Sequence, residues 1–205
     1  MTIHFHEGDL GSAIDLGNVI AVDTETMGLV TARDRLCVVQ LSDGTGDAHL
    51  IRFAPGKQPY SAPNLTAQLT DPARLKLFHF ARFDLAALKY WLGIDCTPVY
   101  CTKIASRIAR TYTDRHGLAD LTREILGMEL SKAQQSSDWG ADDLSRAQRE
   151  YAAADVLHLH ALKARLDIML EREGRAHLAQ ACFAFLPHRV ALDLGGWPEI
   201  DIFAH

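Results

Sequence analysis

The stretch VIAVDTETMGL, residues 19–29, decides how the rest of the chain is read. Four apolar residues, Val19, Ile20, Ala21 and Val22, lead into two acids, Asp23 and Glu25. The apolar, partly β-branched run predicts a buried strand. Residues two apart on a strand face the same side, so the two carboxylates project together. Like charges at that spacing disfavour one another unless a cation lies between them. Their oxygens suit a hard divalent ion such as Mg2+ or Mn2+. Two acids on a solvated strand end would give the same short pattern.

Working outward, RLCVVQLSD (35–43) predicts a second strand, and Asp43-Gly44 opens a turn into a third, DAHLIRF (47–53). RLKLFHF (74–80) and PVYCT (98–102) supply a fourth and a fifth. Helices are expected at 65–71, at 82–93 with Gly93 as its stop, and at 103–112, 116–127, 144–172 and 173–185. His4 and His6 fall in a start expected to be frayed, and the tail from 191 onward reads as irregular around Gly195, Gly196 and Pro198. Hairpin strands followed by strand-helix-strand units imply an α/β fold: a mixed five-stranded sheet flanked by helices, with a helical C-terminal half. Sites in such sheets gather where strands end, which is where Asp23 and Glu25 lie.

The 205 residues are 48% hydrophobic and 23% charged, as expected for one globular domain. No apolar run is long enough to span a bilayer, and the first residues lack the pattern of a secretory signal, so a cytoplasmic protein is expected. Cys37, Cys96, Cys101 and Cys182 are far apart and read as reduced thiols. The formal net charge of −5 argues against clamping long nucleic acid by a bulk positive field. A short anionic substrate held by local groups remains compatible with it.

Further acids join the first pair. Asp84 stands near the start of a helix that follows a strand, a position the helix dipole also favours. Tyr151 and Asp155 lie one helical turn apart and share a face. Lys103, Arg107 and Arg110 form a helical stripe, which reads either as a solvated face or as a set of phosphate contacts. The loop QQSSDWG (134–140) either covers the cleft or is pinned by a buried Trp139. His158 and His160 diverge on a helix and form no metal pair, and Ser136 and Ser137 have no evident relay partner for hydrolase chemistry.

The set Asp23, Glu25, Asp84, Tyr151 and Asp155, in this order, resembles the DEDD exonucleases of the RNase D type, in the subclass that carries tyrosine in its third motif. RDRLCVVQLSDG, CTKIASRIARTYTDRHGL, LSKAQQSSDWG and LSRAQREYAAADVLHLHALK are similar to the same family. The resemblance implies an RNase H-like fold and 3'–5' exonuclease activity. It implies two divalent ions, Mg2+ or Mn2+, held by Asp23, Glu25, Asp84 and Asp155, with Tyr151 orienting the attacking water. It also implies substrate contacts among Thr24, Leu29, His79, Phe83, Arg107, Arg110, Arg115 and His116, with Leu29 wedging between bases. The length and the ending LDLGGWPEIDIFAH resemble the bacterial nano-RNase C group, without the helical RNA-binding domains of RNase D itself. That likeness implies short RNA oligonucleotides and dinucleotides as substrates, with DNA as a further one, and a homo-octameric ring. Processing of longer structured RNA or DNA, and a catalytically idle nucleic-acid-binding module of the same fold, stand as alternatives.

Overall fold

The computed structural model describes residues 2–131 and 133–204. Strands β1 (Ile3–Glu7), β2 (Val19–Thr26), β3 (Leu36–Ser42), β4 (Ala48–Arg52), β5 (Leu75–Phe78) and β6 (Val99–Cys101) form one sheet in the order β1-β4-β3-β2-β5-β6. The expected five strands are all present, and a sixth corrects the count. The start is not frayed: β1 pairs in parallel with β4, Ile3 opposite Ala48 and Phe5 opposite Leu50. Its alternation of Ile3 and Phe5 with His4 and His6 is a strand period. The rings of His4 and His6 stack on His49 of β4.

The centre of the sheet is antiparallel, β4 to β3 and β3 to β2, and the far side is parallel, β2 to β5 and β5 to β6. Every residue of β3 is buried, as expected for a central strand covered on both faces. Cys37, Cys96 and Cys101 are buried free thiols and Cys182 is exposed.

The helices are α1 (Pro63–Thr70), α2 (Ala81–Leu92), α3 (Thr102–Ala109), α4 (Leu118–Leu121), α5 (Arg146–Leu157), α6 (Leu159–Arg172) and α7 (Ala176–Leu194), with a wider π-type turn over Thr122–Leu126. The single helix expected over 144–172 is two, α5 and α6, which meet at His158. The last helix runs further than expected, through ALDL of the tail. Beyond it, Arg189 donates to the carbonyls of Trp197, Pro198 and Ile200, which fastens the tail to α7. Arg82 of α2 grips Asp193 with two nitrogens, at 2.6 and 2.8 Å. No helix among the described residues is long and apolar enough to cross a membrane.

Three elements converge at one end of this scaffold. β2 and β5 are parallel, so the carboxyl end of β2 and the helix that follows β5 lie at the same edge of the sheet. α2 approaches that edge after β5, and α5 lies across β2, β3 and β4. The start of α5 is fixed by a capping box: Gln148 N donates to Ser145 Oγ at 3.2 Å, and Ser145 N donates to Gln148 Oε1 at 2.9 Å. Replacing Ser145 with Ala removes one half of this exchange. Urea denaturation should show a loss of about 1 kcal/mol, while Ser145→Gly should lose only a few tenths.

Candidate active site

The carboxyl end of β2 carries Asp23 and Glu25 on one face, as the strand period requires. α5 brings Asp155 to them, and oxygens of Asp23, Glu25 and Asp155 all lie within 4.8 Å of one another. Asp84, in the first turn of α2, lines the same cleft. The four acids far apart in sequence therefore meet at one place, with Tyr151 beside them in the cleft wall. A bulge between Glu25 and Thr26 ends regular pairing with β3 at this point, a common device for re-aiming side chains near a site.

The supports of these groups are specific. Thr24 faces away from Asp23 and Glu25, and its hydroxyl donates to Asp84 Oδ1 at 2.7 Å. It links strand and helix, and Thr24, expected among the substrate contacts, lines the cleft as well. After β2 the chain turns through Gly28, where an added Cβ would run into the Asp34 carboxylate. Asp34 accepts from Val30 N at 2.9 Å, and Trp91 Nε1 donates to Thr31 O at 2.9 Å. This held loop presents Leu29 to the cleft at 84% exposure.

The loop 133–143 closes the cleft from another side. Trp139 is buried with its ring 6.0 Å from that of Tyr151. Arg35 donates to Gly140 O at 3.1 Å, Arg52 donates to the carbonyls of Ala141 and Asp142, and Gln148 donates to Asp138 O at 3.0 Å. Both expectations for this segment hold together: Trp139 is a buried anchor, and it lines the cleft.

His79 and Phe83 line the cleft as well. Burial, with the charge of Lys103, pushes the His79 imidazole down to about 3, so it is neutral at physiological pH. The Thr102 hydroxyl donates to Phe78 O at 3.2 Å and lies 2.9 Å from His79 Nδ1. With its one proton so used, Thr102 accepts from Nδ1–H, and Nε2 of His79 is the acceptor.

The basic candidates divide. Arg107 is exposed and lies outside the acidic cleft, in an adjoining groove lined by Phe80, Lys103, Ile104 and Phe185. Arg110 is buried, contrary to the phosphate contact expected of it: it is ion-paired with Glu124 and donates to Ser106 Oγ at 3.1 Å and Arg115 O at 3.0 Å. The reason is that α3 ends at Ala109, so Arg110 leaves the helical stripe and turns inward. His116 is buried in the same network, its Nδ1 2.8 Å from Ser106 Oγ. Neither lines the cleft, while Arg115 is exposed and also outside it. Lys103 and Phe80 do line it, with Lys103 Nζ 4.2 Å from the Phe80 ring centroid. Phe80 is the one non-glycine residue with positive φ among those described, at 67°, a conformation no sequence pattern announced.

The electrostatics follow from burial first and crowding second. Burial, then the charges of Asp84, Asp155 and Glu25, hold the Asp23 carboxyl well above the usual range. Glu25 is pushed up to about 9 by burial, then by Asp155 and Asp84. Burial raises Asp84 to about 7 against the opposing Thr24 hydrogen bond, and raises Asp155 to about 7 against that of Tyr151. Burial and the neighbouring acids raise Tyr151, so its phenol keeps its proton and serves as a donor. Three hard oxygen ligands within one small volume, short of positive charge, fit a divalent cation.

These carboxyls have folded-state pKa values above their unfolded ones, so the folded protein binds more protons between the ordinary carboxylate range and about 7 to 9. Their contribution is fully present at acidic pH and is lost as pH rises through that window. In EDTA, the melting temperature should fall from about pH 5 to about pH 9. Mg2+ or Mn2+ should raise it most at the alkaline end; a flat metal titration there would count against the site.

A family model described as 3'–5' exonuclease matches residues 6–171. Ribonuclease D of Gluconacetobacter diazotrophicus is 38% identical over 156 residues, 76% of this chain and 39% of that protein. The chain thus spans about two fifths of the length of the curated relatives it matches. Among solved structures, the apo form of a nuclease is 59% identical with a TM-score of 0.96, covering 100% of this chain and 99% of that one. Brucella melitensis NrnC bound to pGG is 55% identical with a TM-score of 0.96 and the same coverage, and NrnC has also been solved with bound Mg2+. Fold, acidic cluster and these likenesses agree, and the chain belongs to the 3'–5' exonuclease family of the Ribonuclease D type.

Proposed function

We propose that this protein is a metal-dependent 3'–5' exoribonuclease that hydrolyses short oligoribonucleotides, dinucleotides included, to nucleoside 5'-monophosphates. The observation that carries the reading is the convergence of Asp23, Glu25 and Asp155 within 4.8 Å, with Asp84 in the same cleft. Asp23, Glu25 and Asp155 would hold one divalent cation, and Asp84 with Asp23 a second. When bound, such a pair supplies Lewis-acid stabilisation of the attacking and leaving oxygens. The protonated Tyr151 hydroxyl orients the water that attacks phosphorus in line.

The size of the cleft supports a short substrate. Its volume of about 690 Å3 falls within the range of small-ligand pockets, roughly 300–1,000 Å3. NrnC, with pGG bound, is 55% identical to this chain across its whole length. Leu29 is an exposed leucine on a held loop that lines the cleft, which supports a role in separating two bases. Phe83 offers an aromatic face, and the Nε2 acceptor of His79 suits a ribose hydroxyl, which favours RNA over DNA. Among the described residues Lys103 is the lysine that lines the cleft, which supports a contact to phosphate.

The same reading includes assembly into a ring of eight copies. Trp197, Ile200, Ile202 and Phe203 stay exposed on the fastened tail and offer an apolar assembly surface. Light scattering coupled to size exclusion should report a mass several times that of one chain; a monomer would remove the ring.

The activity is tested with the wild-type protein and an Asp155→Asn variant, each incubated with a labelled diribonucleotide and with a longer single-stranded RNA. The wild type should convert the dinucleotide to mononucleotides, and the variant should do neither reaction. Consumption of the longer RNA alone would refute the dinucleotide reading. Equal activity in the variant would trace the nuclease to contamination.

A further inference from the structure

Gln40 stands at the middle of β3, fully buried, and neither its amide nitrogen nor its amide oxygen has a hydrogen-bond partner. Its neighbours Val38, Val39 and Leu41 are apolar and equally buried. The other polar side chain at the end of β3, Ser42, donates to Asp47 O at 2.7 Å. An amide buried with both ends unpaired is costly, and an apolar residue of the same size would fit the strand better. Such an exception calls for a physical reason.

The sheet register supplies one. Gln40 lies directly opposite Asp23 across the antiparallel pair. Residues so placed project from the same face of the sheet, with Cβ atoms about 4.5–5.5 Å apart. That face is the one α5 covers, and α5 carries Tyr151 and Asp155. Gln40 is not among the residues lining the cleft, so it stands behind Asp23, away from substrate. On β4 its opposite residue is Leu50, which offers no polar side chain. Across the strand pair, Asp23 is the polar side chain its amide can serve.

We propose that Gln40 is the positioning residue of Asp23: its carboxamide donates to the Asp23 carboxylate when a divalent cation is bound, and fixes the orientation in which Asp23 ligates. The inference rests on the exonuclease reading of the acidic cluster. It goes beyond that reading by assigning metal affinity to a side chain that touches neither metal nor substrate. Groups that orient metal ligands in this way typically contribute 10–100-fold in affinity.

The test uses Gln40→Met and Gln40→Leu, which keep the volume and remove the amide. Mn2+ and Mg2+ affinities are measured by titration calorimetry, and melting temperatures are measured in EDTA. Both variants should bind metal about 10–100-fold more weakly and should melt in EDTA no lower than wild type. In an Asp23→Asn background, Gln40→Met should change metal affinity no further. Unchanged metal affinity in the variants, with wild type binding normally, overturns the role of Gln40 alone. A lower melting temperature with unchanged affinity, or failure of both variants to fold, makes Gln40 part of the scaffold and equally overturns it. A wild type that binds no divalent ion removes the exonuclease reading itself, and the inference with it.

Discussion

The burial of four carboxylates beside one another at the end of one strand is the constraint around which this molecule is arranged. Asp23, Glu25, Asp84 and Asp155 each have their charged form disfavoured by burial. Left to themselves, such groups would be driven apart into water. They are held because each is fixed to a different rigid element: the first two to β2, Asp84 to α2 and Asp155 to α5. The fold must therefore be stabilised elsewhere, and the fully buried β3 at the centre of the sheet is one such place.

The surroundings of the acids are correspondingly stiff. Thr24 couples β2 to α2 through one short hydrogen bond. The capping box sets the start of α5, and Gln148 also reaches the carbonyl of Asp138, so one residue ties the helix start to the cleft-closing loop. Arg35 and Arg52 hold the same loop from the sheet side. Precise ligand placement comes from such outer contacts as much as from the ligands themselves.

Much of this was legible from local pattern. The apolar run into Asp23 gave a strand, and the spacing of Tyr151 and Asp155 gave one helix face, because both periods are local. Facts that depend on distant partners were not legible. β1 carries only a short alternation of its own, and its place at the sheet edge is set by β4, more than forty residues away. Arg110 reads as part of a basic stripe until the helix ends at Ala109 and turns it inward to Glu124. Thr24 sits between two catalytic candidates in sequence, yet the strand alternation sends it to the opposite face, where Asp84 takes its hydroxyl. The division of 144–172 at His158, and the positive φ of Phe80, are set by tertiary packing and leave no mark in composition.

The two margins of the sheet are unequal and both are brief: β6 has three residues and β1 has five. β1 also carries His4, His6 and an ion pair from Glu7 to Arg52. Exposed strand margins recruit strands from other molecules, and short or charged ones resist it. A sheet whose interior is this apolar is thereby guarded at its rims against pairing edge to edge with another copy.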